Sequence, residues 1–237
     1  MMNAQGILTE LQKLGKPGTA AIYRRHGSGD NVFGVLTSEI AKLQKRIKTD
    51  HALAIELWKT GNAEARILAL QIADPGKLTS SEAAAFSNEA ESEFVGCYLS
   101  SHLARSPLVD ETMRAWMSSP KEFIRAAGYG ILGARLKEDP DSVTDSDAGR
   151  ILAVIEKEIH RAPNRARHAM NGALIGIGIF KPSLRKKAME AAKRIGKVEV
   201  DHGETSCTTP DAVSYIKKAV QRRHCPRAGL PFAGPAD

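Results

Sequence analysis

Residues 57–70 read LWKTGNAEARILAL: one apolar helix ends at Thr60-Gly61, a second begins at Ala63, and Arg66 stands near its start. The phrase recurs at residues 113–127, MRAWMSSPKEFIRAA, and at residues 155–170, IEKEIHRAPNRARHAM. One amphipathic pair of helices cannot bury its apolar face alone, so the repetition predicts an all-α superhelix, a solenoid of stacked helical pairs. A basic residue at the same place in successive pairs would line one concave face with positive charge, which suits a phosphate backbone.

The remainder of the chain is predicted to be almost wholly helical. Apolar residues recur at helical spacing, and the breaks between them are short and contain Gly, Pro or Asp. Asp50 is placed to cap one helix, and Thr79 with Glu82 has the sequence of a capping box. The one candidate strand, residues 197–200, is short. The predicted helices lie near residues 3–14, 18–26, 37–48, 51–60, 63–73, 80–86, 90–105, 109–117, 121–137, 145–160, 164–179, 183–195 and 210–223.

Composition limits the class of protein. The 237 residues are expected to form a single domain, residues 1–225, followed by a flexible tail rich in Pro, Gly and Ala, residues 226–237. No apolar run approaches the roughly 20 residues of a membrane span, and the N-terminus lacks the pattern of a signal peptide. Three cysteines do not indicate a disulfide framework and fit a reducing compartment. We therefore expect a cytoplasmic monomer with no membrane partner.

The basic residues are unevenly distributed. The formal net charge is +7, and residues 150–237 contain 17 Lys and Arg against 8 Asp and Glu, whereas residues 1–149 are slightly acidic. A basic C-terminal part is typical of proteins that bind a polyanion such as DNA. A solvated, self-repelling surface would give the same composition, so charge alone leaves both interpretations open.

Several segments resemble those of a known family, the HEAT-like-repeat DNA alkylation repair proteins, or AlkD-like glycosylases. The segments are FGV at 33–35, AIELWK at 54–59, EARILA at 64–69 and FIRAA at 123–127. The resemblance spans roughly residues 20–195 and is closest over residues 31–73. It implies a C-shaped stack of HEAT-like repeats whose concave face holds duplex DNA. Active members of the family excise alkylated purines in base excision repair, without flipping the base into a pocket.

The resemblance also locates a reaction site, and this chain departs from the family there. Active members use a carboxylate flanked by indole rings to stabilise a cationic sugar while water attacks. The carboxylate position falls on Cys97, the tryptophan one turn earlier on Glu93, and the second cleft tryptophan on or near Gly172. The arginine of the intervening repeat is kept as Arg125. Glu93 lies one helical turn from Cys97 and is therefore the candidate for a relocated catalytic carboxylate.

Eight basic residues are candidates for DNA contact. The planar fork of arginine suits phosphate oxygens, and helix N-termini add backbone donors. The alternative for the arginines is that they pair with acidic neighbours such as Glu64 and Glu122 and hold adjacent repeats together. The alternative for the cluster at 181–187 is a solvated helix face, although its charge opposes the dipole of the helix that it begins. The eight candidates are Arg66, Arg125, Arg165, Arg167, Lys181, Arg185, Lys186 and Lys187.

Other features leave their role open. Gly172, Gly176 and Gly178 lie in a helical pattern and permit either close helix packing or the close approach of a ligand backbone. The two tryptophans, Trp58 and Trp116, stand in the first helices of their pairs and are expected in the core. The irregular stretch 198–209 is either functional or a cap over the last helical pair. The His and Cys residues after position 200 match no zinc module in spacing, so we expect no metal and no cofactor.

Three functions remain open at this point. The first is a DNA-binding protein that hydrolyses the N-glycosidic bond of alkylated purines, with Glu93 as the stabilising carboxylate and Arg125 bracing a phosphate near the lesion. The second is a non-catalytic binder of duplex or branched DNA that retains the concave DNA-binding face but does not excise bases. The third is a helical-repeat scaffold for another protein.

Overall fold

The computed structural model describes residues 3–90 and 92–224, without the side chains of Glu93, Arg223 and His224. Over these residues the chain is all α-helical, as the sequence predicts, and residues 197–200 form no strand. None of the described helices combines the length and apolar character needed to cross a membrane. The predicted tail, residues 226–237, lies outside the described residues.

Thirteen α-helices follow one another along the described chain, and their bounds lie within three residues of the predicted ones. Short 3₁₀ turns stand at Pro75–Lys77, Pro140–Ser142, Ile159–Arg161 and Pro182–Leu184. The helices are α1 Ala4–Leu14, α2 Pro17–Arg25, α3 Thr37–Ile47, α4 His51–Lys59, α5 Ala63–Ile72, α6 Ser80–Glu89, α7 Glu93–Leu103, α8 Val109–Met117, α9 Glu122–Glu138, α10 Asp145–Glu158, α11 Asn164–Phe180, α12 Arg185–Ile195 and α13 Ala212–His224.

The predicted helix caps are confirmed. The Asp50 side chain accepts a hydrogen bond from the Leu53 amide at the start of α4, at 3.0 Å. Thr79 and Glu82 form a reciprocal capping box at the start of α6. Each such cap stabilises a helix by about 1 kcal/mol because it satisfies an amide that has no partner within the helix.

The helices from α4 onward form five successive pairs, each with a first and a second helix. The second helices pack in an unbroken series, α5 on α7, α7 on α9, α9 on α11 and α11 on α13. Among the first helices, only α10 and α12 pack extensively on each other. A stack that packs more closely along one row curves toward that row, so the second helices line the concave side.

Glycines tighten this inner row. Gly178 in α11 packs directly on the Ile216 side chain of α13, where a Cβ atom would clash, and Gly176 meets Leu136 of α9 at ordinary contact distance. The packing interpretation is therefore confirmed for these two glycines. Gly172 is exposed and has open space where a Cβ would stand, so its role as a site of ligand approach remains a prediction.

The apolar core is continuous from α1 to α13. Trp58 is 2% exposed and stacks on Phe86, with ring centroids 4.1 Å apart. Trp116 is half-buried and packs against the same core, with its backbone beside Gly128 of α9. Both tryptophans therefore serve packing, as the sequence predicts.

Candidate nucleic-acid interface

The loops between the first and second helices of successive pairs meet along one edge of the stack. Lys121, just before α9, donates from Nζ to Oδ1 of Asn88 near the end of α6, at 2.7 Å. Glu122, the first residue of α9, accepts through Oε1 a hydrogen bond from the backbone amide of Arg165 in α11, at 2.6 Å. The residues that start the second helices are thus bonded from one pair to the next.

Arg66, near the start of α5, is held by the neighbouring pair. Its guanidinium donates to the Oε2 atom and the carbonyl oxygen of Glu89, at 2.8 and 2.9 Å. The same Oε2 accepts from Nε1 of Trp58 at 2.8 Å, and Cζ of Arg66 lies 4.9 Å from the Trp58 ring centroid. Glu89 ends α6, so Arg66 also complements the negative end of that helix.

Arg125, near the start of α9, makes the equivalent contact two pairs further on. Its Nη2 atom lies 2.5 Å from Oε2 of Glu158, the last residue of α10. The Arg125 side chain is 17% exposed, and its Nε–H is buried without a hydrogen-bond partner. Arg125 also bonds Tyr129, whose pKa is raised above its usual value mainly by burial.

Arg167, near the start of α11, reaches the chain that follows α12. Its Nη1 donates to the carbonyl oxygen of Glu199 at 2.8 Å, and Nη2 donates to the carbonyl oxygen of Ala162 at 3.0 Å. The recurring arginine thus ties the first pair to the second, the third to the fourth and the fourth to the fifth, which is the alternative role considered from the sequence. The Arg66 and Arg125 side chains pair with Glu89 and Glu158, whereas Glu122 accepts from the backbone amide of Arg165.

Glu64 holds a loop in place in the N-terminal part of the fold. Its carboxylate is fully buried and accepts hydrogen bonds from three consecutive amides, those of Phe33, Gly34 and Val35. Gly34 adopts φ +81°, and a Cβ there would clash with α2 backbone. The buried carboxylate therefore fixes a loop that only glycine can complete.

The predicted basic cluster at 181–187 divides into two halves. Lys181 is buried with Nζ 3.1 Å from Oδ1 of Asp145, and bonds from Ser183 and then Lys181 hold the pKa of Asp145 below its usual value. Arg185 donates from Nε to the carbonyl oxygen of Gly178 at 3.0 Å and so closes the end of α11. These two residues support the fold.

Lys186 and Lys187 are exposed. They lie on α12, which belongs to the row of first helices, whereas Arg66, Arg125, Arg165 and Arg167 lie on second helices. The eight candidates therefore do not form one concave stripe. Contact of each of them with DNA remains a prediction.

The position expected to carry a catalytic carboxylate holds an exposed thiol. Cys97 lies on α7, between aromatic side chains that pack on one another: Phe94 lies 5.0 Å from Tyr23 of α2 and 5.8 Å from Tyr98, measured between ring centroids. Burial raises the pKa of Tyr98, and Cys97 adds to the effect. Glu93 is the first residue of α7, and its side chain lies outside the described part of the structure.

The irregular stretch 198–209 bonds to α11 and borders a cleft that α12 and α13 also line. Asn164 of α11 exchanges two hydrogen bonds with the backbone of Asp201, each 2.7 Å long. His202 bonds the Thr209 hydroxyl at 3.0 Å, and a cleft of about 1120 Å³ separates the stretch from α11, α12 and α13. These contacts favour the cap interpretation. Within the described residues, no group of three or more His, Cys, Asp or Glu side chains could hold a metal ion.

Comparisons with known proteins agree with this architecture. Residues 7–216 match the model of the family described as DNA alkylation repair enzyme. The chain is 32% identical to the uncharacterized protein Lmo0209 of Listeria monocytogenes and 33% identical to the uncharacterized protein Lin0241 of Listeria innocua, over 94% of this chain and 99% of each relative.

One solved structure is similar along nearly its whole length. It is described as a new family of proteins related to the HEAT-like repeat DNA glycosylases with affinity for branched DNA structures. The TM-score is 0.87 at 29% identity, over 94% of this chain and 95% of the other. With its stacked helical pairs and its family match over most of its length, this chain belongs to the DNA alkylation repair enzyme family.

Proposed function

We propose that this protein binds DNA, prefers branched DNA structures, and does not excise alkylated bases. The observation that carries the proposal is the likeness, over almost the full chain, to proteins with affinity for branched DNA. We assign the binding to the exposed side of α7, α9 and α11, which we call the inner face.

The inner face suits the close approach of a nucleic-acid backbone. Its exposed positions include the small residues Ser101 and Gly172, so a phosphodiester chain can approach the helices without displacing large side chains. At its edge Lys121 precedes α9 without providing a side-chain cap, beside a cleft of about 430 Å³. Amides at an uncapped helix start and a nearby ammonium group favour a phosphate oxygen.

Base excision is the second candidate, and the side chains argue against it. A cysteine at position 97 is a poor substitute for the carboxylate that stabilises the positive charge developing on the sugar. The carboxylates of Glu89, Glu122 and Glu158 already accept hydrogen bonds that tie the repeats together. The two indoles that could contact a cationic base are packed in the core. Glu93 remains the one residue proposed for catalysis if excision occurs.

Binding and excision are tested on the same DNA. We expect the protein to bind a four-way junction more tightly than a linear duplex of the same length, with an affinity that falls as salt rises because counterions are released. We expect no release of 7-methylguanine or 3-methyladenine from methylated DNA. Release by the wild type that Glu93→Gln abolishes would overturn the proposal in favour of a glycosylase, and absence of binding to both DNAs would favour the scaffold.

The location of the DNA can be tested with a thiol footprint. In a variant carrying Cys207→Ser and Cys225→Ser, Cys97 is the remaining thiol, and it is exposed on α7. We expect saturating junction DNA to slow its alkylation by about fivefold or more, with a small-molecule thiol in the same mixture as the control. Unchanged alkylation at saturation would exclude the inner face around Cys97.

The role of Arg125 needs a matched pair of variants. Arg125→Ala removes both the ion pair with Glu158 and any contact with phosphate, whereas Glu158→Gln removes the carboxylate charge and keeps the guanidinium. If Arg125 contacts DNA, only Arg125→Ala weakens binding and lowers its salt dependence. If Arg125 solely joins two helical pairs, the two variants change affinity alike.

A further inference from the structure

We infer that helices α12 and α13 carry a second DNA surface, which holds one duplex arm of a branched DNA while the inner face holds another. The inference rests on the proposed function and supplies a physical reason for the preference for branched DNA. The surface, which we call the C-terminal basic face, comprises Lys186, Lys187, Lys193, Lys217, Lys218 and Arg222.

No hydrogen bond within the described residues fixes these six side chains, although Lys187 and Lys217 make small contributions to the lowered pKa values of Glu156 and Asp211. All six are exposed, and none makes a hydrogen bond or ion pair within the described part of the chain. Their neighbours Lys181 and Arg185 do have internal partners. Lys186 and Lys187 even stand in the first turn of α12, where the helix dipole disfavours positive charge.

The two helices present their cations at the same end of the molecule. Arg185, at the start of α12, bonds the carbonyl oxygen of Gly178, and Gly178 packs on Ile216 in the middle of α13. Lys186 and Lys187 directly follow Arg185, and Lys217 and Lys218 directly follow Ile216. The four lysines therefore stand on neighbouring turns of two packed helices, and the ammonium group of Lys187 lies toward Gly149 of α10.

The remaining two cations extend the face in both directions. Lys193, two turns along α12, lines the cleft beside Ala212 and Val213 at the start of α13. Arg222 continues from Lys218 toward the end of α13. The face thus runs along both helices, over the roughly 20 Å that 13 helical residues span.

The charge of the face matches a duplex rather than a mixed polar partner. Glu190 is the one acidic residue on α12, and α13 contains none. Duplex DNA carries about one negative charge per 1.7 Å of its axis, so 20 Å of duplex offers about twelve phosphates to these cations. A solvated cap on a helical array would serve as well with balanced charge, whereas α12 and α13 together contain nine Lys and Arg and one Glu.

The position of the face separates it from the inner face. α12 belongs to the row of first helices and α13 ends the row of second helices, so the basic face occupies the terminal side of the described stack, beyond the inner face of α7, α9 and α11. One straight duplex on the inner face leaves this surface unused. A second arm that diverges at a branch can reach it, and the two contacts then act together through a high effective concentration.

The test compares two DNAs and two sets of variants of the full chain. The first variant carries Lys→Ala at positions 186, 187, 217 and 218. The control variant carries Lys→Ala at four exposed lysines elsewhere, Lys13, Lys45, Lys59 and Lys77. Both variants lose four positive charges, so a difference in their affinities for DNA shows that the location of the charges matters. Fluorescence anisotropy gives Kd for a four-way junction and for a linear duplex at several salt concentrations.

We expect the first variant to lose about tenfold or more in affinity for the junction and no more than about threefold for the duplex. The slope of log K against log salt on the junction should fall by up to about 3.6, for four phosphates released, while the control variant retains both affinities. Equal losses on the two DNAs, or no loss on the junction, would overturn the inference. Failure of the wild type to bind either DNA would instead overturn the proposed function.

Discussion

The protonation of His102 tests whether this side of α7 is buried against its neighbouring helices in solution. His102 lies in α7, is fully buried, and neither of its ring nitrogens makes a hydrogen bond of ordinary geometry. Burial lowers the pKa of His102 from 6.5 to about 4, and the charge of Arg105 acts in the same direction. The backbone of Leu70 opposes the shift to a smaller extent. The imidazole is therefore neutral in the folded protein at pH 7.

The magnitude follows from the difference between the folded and unfolded chains. In the unfolded chain the pKa of a histidine returns to about 6.5. As the pH falls from 6.5 toward 4, the unfolded chain binds a proton that the folded chain does not, so the free energy of unfolding decreases. Between pH 7 and pH 5 this loss amounts to about 2 kcal/mol, and over the whole window to about 3 kcal/mol.

Urea unfolding followed by the helical circular dichroism signal measures the effect at pH 7, 6 and 5. His102→Leu replaces the ring by a side chain of similar volume that cannot titrate. Between pH 7 and pH 5, we expect this variant to lose about 2 kcal/mol less than the wild type. His26→Gln, in the loop after α2, serves as the control for loss of an imidazole. The same pH dependence in wild type and His102→Leu would refute the reasoning.

Three further predictions concern stability, each measured by thermal and urea unfolding. Gly178→Ala should destabilise the folded protein by about 1–2 kcal/mol because the added Cβ overlaps Ile216 of α13. Gly172→Ala, where the added Cβ meets open space, should stabilise it by up to about 1 kcal/mol. Equal effects of the two substitutions would contradict the packing of α11 on α13. Glu64→Gln should cost about 3 kcal/mol because an amide group cannot replace a buried carboxylate facing three amides, and a neutral effect would show that the loop does not depend on it. Glu89→Ala should cost about 1–2 kcal/mol by freeing Arg66, and a change within error would mean that this contact is not formed in solution.

The helices could be predicted from the sequence because their signals are local. Asp50 stands directly before α4, and Thr79 with Glu82 spans the start of α6. Each helix start can therefore be recognised from at most four consecutive residues. The periodicity of apolar residues likewise identified paired helices and the packing role of Trp58. These features depend on spacing along the chain alone.

The use of the arginines could not be predicted in full because it depends on residues far along the chain. Arg66 and Arg125 were correctly placed near the starts of second helices, but their partners Glu89 and Glu158 lie 23 and 33 residues away. Only the stacking of one helical pair on the next brings the ends of α6 and α10 to them. The same holds for Lys181, whose partner Asp145 stands on another helix.

The arginines that bridge the pairs also affect how many helical pairs unfold together. In a linear array, each unit senses only its neighbours, so the length of the cooperative block depends on the strength of each junction. Here one charged side chain spans each of three junctions at a matching place. Weakening the junction at Arg125, between the third and fourth pairs, would therefore lower the cooperativity of unfolding, which a calorimeter would record as a broader transition.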